Sequence, residues 1–151
     1  MPDIELPDTL ADVLIGIQRL IRRRLRRGLE GPRLRGAQIE LLRLVAARPG
    51  VRVSAAAKEL YLAGNSVSTL VNQLTKEGLL VRETDPGDRR SALLHPTPQA
   101  TDRMKAWDER RSALVREQVQ RLSDDDRAAL AAAIPALRRL ATNLREEVEE
   151  I

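Results

Sequence analysis

Two short runs, Leu79 to Glu83 and Ser91 to His95, are the strand-forming segments of this chain. They flank Asp85-Pro86-Gly87-Asp88, a concentration of turn formers, and so predict one hairpin with a long tip. Val51-Arg52-Val53 is too short for more than a minor strand. The remainder carries apolar residues at three- and four-residue steps, the spacing of amphipathic helices. The expected fold class is therefore mainly α.

The first helix is expected from about Asp8 to Gly28, with Leu10, Val13, Leu14, Ile17, Leu20, Ile21 and Leu25 on one side. Asp8 or Thr9 would cap its start, and Gly28 or Gly31 would end it. A second helix follows over about Gly36 to Arg48, burying Ile39, Leu41, Leu42 and Val45 and stopped by Pro49-Gly50. Ser54 is the candidate N-cap of a short helix reaching Tyr61. After a Leu62-Ala63-Gly64 turn, a further helix covers about Asn65 to Glu77 and closes at Gly78. It turns Val67, Leu70, Val71 and Leu74 inward and leaves Ser66, Ser68, Thr69, Asn72 and Gln73 outside. Thr97 caps a long helix with Pro98 at its first position, and its apolar side includes Met104, Trp107, Leu114 and Val119. Ser123 to Asp126 breaks and recaps the chain. The last helix spaces Leu130, Ile134, Leu137, Ala141, Leu144, Val148 and Ile151 at a 3.5-residue period, which suits packing along another helix, and Pro135 is expected to bend it.

Charge is segregated along the chain. Residues 19–58 hold twelve Lys or Arg against two Glu, a local +10 in a chain whose net charge is +4. The rest must carry −6, which predicts a basic face on an acidic body. The composition excludes several functions. With no Cys there is no disulfide, thiolate metal site or thiol redox sensor, and one His makes a His-based zinc site or a Ser-His-Asp triad a poor fit. Aromatics are limited to Trp107 and Tyr61, too few for stacking single-stranded nucleic acid. No carboxylate pair, phosphate-binding glycine loop or nucleophile constellation appears, so neither an enzyme nor a cofactor is expected. No run is long enough to span a membrane, and the acidic, Pro-containing start is no signal peptide, so the expected compartment is the cytoplasm.

Helix, small strand, helix, turn, helix, hairpin is the order of a winged helix-turn-helix. The second helix of such a pair enters the major groove of duplex DNA and presents polar side chains to base edges. Asn65, Ser66, Ser68, Thr69, Asn72 and Gln73 are the candidate reading residues, and Arg89 and Arg90 at the hairpin tip are candidates for phosphate or minor-groove contact. Blander readings stand beside these. The polar stripe could be a solvated helix face, and Arg90 could pair with Asp88 or Asp85 to brace the turn. Arg22 to Arg24, Arg26 and Arg27 could touch DNA or pair with the acidic tail Glu146, Glu147, Glu149 and Glu150. His95 reads as structural. Trp107 reads first as core, with the wall of a ligand pocket as the other reading.

The stretch Leu60 to Thr97, LYLAGNSVSTLVNQLTKEGLLVRETDPGDRRSALLHPT, resembles the recognition helix and wing of the multiple antibiotic resistance regulator (MarR) family. Its most specific part, DPGDRRSALLHPT, is similar to the family's D-x-R-S/A wing pattern. Asp88 and Arg90 fall on that Asp and Arg, and Thr97 falls on the closing Thr. Ala63 stands where members usually have a capping Ser, Thr69 where many have Arg or Lys, and Arg35-Gly36 where a capping Thr is usual. The resemblance implies one MarR-like domain over 1–151, with its winged helix-turn-helix at 34–97 and dimerisation helices at 8–30 and 98–151. It implies a homodimer on a pseudo-palindromic duplex operator, a transcriptional regulator, often a repressor released by a small-molecule effector. It also implies that Asp88 orients Arg90. Two other functions fit the same order of elements: a winged-helix module that binds protein, and a nucleoid-type binder without sequence preference.

Overall fold

Proline is tolerated in a first helical turn, because the N–H it lacks has no intrahelical acceptor there. The computed structural model describes residues 5–27, 31 and 33–149, with side chains as far as Arg145. In it helix α1 (Leu6–Leu25) starts ahead of Pro7. The expected cap at Asp8 or Thr9 is corrected accordingly. Asp8 lies inside the first turn, where its charge meets the positive end of the helix dipole. The stop expected at Gly28 lies outside the described residues.

The chain divides into two units, residues 1–110 and 111–151. In the first, α1 is followed by α2 (Gly36–Ala47), β1 (Val51–Arg52), α3 (Val53–Glu59), α4 (Gly64–Lys76), β2 (Leu80–Asp85), β3 (Asp88–Pro96) and the opening turns of α5 (Pro98–Gln120). The strands form an antiparallel sheet in the order β1-β3-β2. Leu41, Leu42 and Val45 of α2 close a core with Val67, Val71 and Leu74 of α4 and with Leu79, Leu80 and Leu94 of the hairpin, each at most 2% exposed. Each such burial stabilises by roughly 1.5–3 kcal/mol. Leu70 and Ile39, expected inside, are only half-buried, Leu70 at the margin of this core.

Several boundaries differ from the sequence expectation for local reasons. α3 begins at Val53 with Arg52 as its N-cap and without a side-chain cap bond, so Ser54 is not the cap. Arg52 is held extended by pairing with Leu93 of β3, and the strand therefore runs straight into the helix. The hairpin tip is short rather than long: Asp85 pairs with Asp88, leaving Pro86-Gly87 between the strands. At the end of α4, Gly78 adopts φ +74, and the N–H of Leu79 reaches back to the carbonyl of Leu74 at 2.9 Å. That left-handed cap favours glycine. Thr97 is the expected cap of α5. Its Oγ1 accepts the N–H of Ala100 at 3.1 Å and donates to the Gly78 carbonyl at 2.7 Å, tying α5 to the end of α4.

The second unit consists of the remainder of α5 and of α6 (Asp124–Glu149). Ser123 caps α6 through the N–H of Asp126 at 3.1 Å, and Asp124, Asp125 and Asp126 occupy the first turn, where the dipole favours negative charge. The helix is continuous through Pro135. Leu130, Ile134 and Leu144 of its 3.5-residue stripe remain 44–60% exposed in the single chain, as do Val13, Leu14, Ile15, Ile17 and Leu20 of α1 at 41–60%.

Candidate nucleic-acid interface

α4 exists because Val67, Val71 and Leu74 share one face and bury it. The opposite face is therefore fixed toward solvent, and it carries Asn65, Ser66, Thr69, Asn72 and Gln73, all exposed. Ser68 is the exception to the predicted stripe. One residue is 100° of helix, so the neighbour of fully buried Val67 lies on the flank, and Ser68 is half-buried. Ala63 supplies no side-chain cap, and the first-turn N–H groups of α4 are left to solvent or to an anion. Thr69 donates its hydroxyl to the Asn65 carbonyl at 3.0 Å. Among the described residues, the side chains of Asn65, Ser66, Ser68 and Asn72 make no hydrogen bond, which leaves them able to meet base edges.

Asp85 braces the wing, as one reading of the sequence allowed, but its partner is Arg52, a residue the sequence did not single out, and not Arg90. Asp85, 8% exposed, accepts from Arg52 Nη2 at 2.6 Å and from the N–H of Gly87 at 2.9 Å. The Arg52 side chain reaches across the sheet from β1 to the tip. Asp88 accepts the backbone N–H of Arg90 at 3.0 Å and the hydroxyl of Ser91 at 3.2 Å. The implied Asp88–Arg90 partnership is therefore one of carboxylate to backbone, and the guanidinium takes no part in it. Among the described residues, the guanidinium groups of Arg89 and Arg90 make neither hydrogen bond nor ion pair, and both residues are exposed. Arg90 does not brace the turn; the pairing between Arg52 and Asp85 does. His95 Nε2 lies 2.9 Å from Glu83 Oε2 at an angle that makes no hydrogen bond, in keeping with a structural place on the sheet.

Behind α4 lies a buried polar residue that sequence reasoning also missed. Gln38, 9% exposed, occupies the third position of α2, and its Oε1 accepts the N–H of Arg35 at 2.7 Å. This is the reciprocal half of a capping box. An arginine N-cap has no acceptor to supply the other half. The Nε2 of Gln38 donates to Oε1 of Gln73 at 3.0 Å. A glutamine three residues past a cap was the available signal; its burial was not visible in sequence.

A cavity of about 520 Å³ opens beside the start of α2. Arg22 of α1, Arg26 just past its end and Arg103 of α5 border it, with Leu34, Met104 and Trp107 on its apolar wall. Trp107 is half-buried there and not in the core. Gly31, at φ +93, lets Arg103 approach: a Cβ at that position would lie 3.3 Å from Arg103 Nη1. Burial pushes the Arg103 guanidinium below its ordinary pKa, and Glu77 pulls it back in part. Basic groups over an apolar wall suit an organic anion with a hydrophobic part. The acidic residues expected to pair with the α1 arginines, Glu146, Glu147, Glu149 and Glu150, lie outside the side chains described. Among the described residues no group of His, Asp and Glu is placed to hold a metal, and no helix is long and apolar enough to cross a membrane.

Residues 34–91 match the model of the MarR family. Over 110 residues, 73% of its length, the chain is 32% identical to a Thauera aromatica protein named for transcriptional regulation of the hcr operon, of which the match spans 66%. Among solved structures, Streptococcus pneumoniae FabT in complex with DNA superposes with a TM-score of 0.73 at 20% identity, covering 93% of this chain and 97% of that one. The PcaV transcriptional regulator of Streptomyces coelicolor, in complex with its natural ligand, gives 0.62 at 23% identity, covering 90% and 92%. At such identities the structures establish a shared fold.

Proposed function

The chain belongs to the MarR family, and from that premise we propose a homodimeric transcriptional regulator that reads double-stranded DNA by sequence. One observation carries the reading. α4 presents an exposed, uncharged polar face beside a wing whose Arg89 and Arg90 have no partner among the described residues, in a chain that is 32% charged. Polar groups able to donate and accept specify bases, and unpaired cations hold phosphates or the minor groove. Residues 34–97 form the reading module in this proposal. The segments 8–30 and 98–151 form the dimer, the exposed apolar stripes of α1 and α6 covered by a second copy. The cavity bordered by Arg22, Arg26 and Arg103 takes a small organic anion that releases DNA, so the regulator acts as a repressor. FabT bound to DNA and PcaV bound to its ligand share the fold and support both halves of this assignment.

Selection of bound fragments from random duplexes with the full chain tests the reading. The expected result is a pseudo-palindrome with half-sites about one helical turn apart and an affinity that falls steeply with salt. Enrichment of no sequence, at undiminished affinity, would make the protein a nucleoid-type binder. No affinity for duplex at low salt would make the winged region a protein-binding module.

A further inference from the structure

The hydrogen bonds that join α2 to α4 have a fixed polarity. A backbone N–H can only donate, so the contact from Arg35 N–H to Gln38 at 2.7 Å fixes which end of the Gln38 amide is oxygen. The other end, Nε2, faces Gln73 at 3.0 Å and must meet the oxygen of that amide. Gln38 is 9% exposed, so water does not readily compete for these bonds. Gln73, by contrast, is exposed on the reading face of α4. With its oxygen drawn toward α2, the end of its carboxamide turned outward is the amino group.

We propose that Gln38 is a positioning residue that sets the base specificity of Gln73, making it an outward donor. The inference rests on the DNA-reading function proposed above. An unconstrained glutamine offers oxygen and amino group side by side and suits adenine, which presents N6 as donor and N7 as acceptor. A glutamine held with its oxygen inward offers hydrogens only. It favours guanine, whose O6 and N7 are both acceptors in the major groove. Gln38→Glu reverses the polarity. One carboxylate oxygen still accepts from Arg35, and the other can only accept, so the Gln73 amide turns over and presents its oxygen. The favoured bases then become those that donate, cytosine or adenine.

The experiment is selection from random duplexes with the full chain as wild type, Gln38→Glu, Gln38→Met and Gln73→Ala, followed by titration of the selected operators. The wild type is expected to require guanine at one position in each half-site. Gln73→Ala loses that preference alone, with roughly a tenfold loss of affinity for the guanine operator. Gln38→Glu moves the preference at the same position to cytosine or adenine. Gln38→Met keeps the volume but frees Gln73, and adenine becomes acceptable there. Should Gln38→Glu fail to fold, Gln38→Met decides: an unchanged base preference overturns the inference. A wild-type motif that Gln73→Ala leaves intact overturns it as well, without touching the proposed function. A wild type that enriches no motif overturns the DNA-reading function itself, and this inference with it.

Discussion

Removing the Asp85 carboxylate should loosen the wing by an amount the structure allows to be worked out. Its oxygens accept one charge-assisted bond from Arg52 at 2.6 Å and one backbone bond from Gly87 at 2.9 Å. Both bonds are to a charged group, each worth about 1.5–3 kcal/mol where solvent does not screen it and about 1 kcal/mol at an exposed tip such as Gly87. The Arg52 side chain is 53% exposed, so solvent screening reduces the first to about 1 kcal/mol. The freed N–H of Gly87 is at an exposed tip, where water takes it up and no desolvation penalty is added. Asp85→Ala is therefore expected to cost about 2 kcal/mol. Asp85→Asn keeps an oxygen for Gly87 and loses only the charge, at about 1 kcal/mol. Urea unfolding at one fixed protomer concentration measures both, the fixed concentration being needed because the proposed dimerisation would add to apparent stability. In an Arg52→Ala background, Asp85→Asn should add almost nothing, because the pair is already broken. Equal losses for the Asn and Ala variants, or an undiminished Asn effect without Arg52, would refute this account of the wing.

Arg90→Ala is expected to weaken operator binding by about 1–3 kcal/mol per half-site and to make the salt dependence shallower, while Asp88→Ala, which removes only the carboxylate that holds the strand, loses less; titrations at several salt concentrations compare them. Tyr61 sits at φ 54, 55% exposed, where a non-glycine residue is strained. Tyr61→Gly should leave stability within about 0.5 kcal/mol, since relief of strain offsets the entropy of glycine, whereas β-branched Tyr61→Val should cost about 1 kcal/mol or more in the same urea experiment. Ile17→Glu places a charge in the exposed apolar stripe of α1 and should convert the dimer to monomer by light scattering; an unchanged dimer mass would remove α1 from the interface. Trp107, the only tryptophan, should report binding of organic anions to the cavity by a change in fluorescence, and Arg26→Ala should weaken that response several-fold.

Apolar periodicity placed the helices, and turn formers between two strand-prone runs placed the hairpin, because both signals are properties of neighbours along the chain. The polar face of α4 followed at once: if Val67, Val71 and Leu74 are inside, then Thr69 and Asn72 are outside. The caps at Thr97, Gly78 and Ser123 were legible for the same reason, since each acts within a few residues of itself. Partnerships between distant residues were not legible. Arg52 and Asp85 are far apart in sequence and meet only because β3 lies between their strands, and Gln38 reaches Gln73 only because α2 packs on α4. A side chain's hydrogen-bond partner depends on which elements become neighbours, and no local spacing encodes that. The same holds for Trp107, whose apolar character suited a core and a cavity wall equally. Its place was decided by the end of α1 and the approach to α2, which bring Arg22, Arg26 and Leu34 around it and leave the space open.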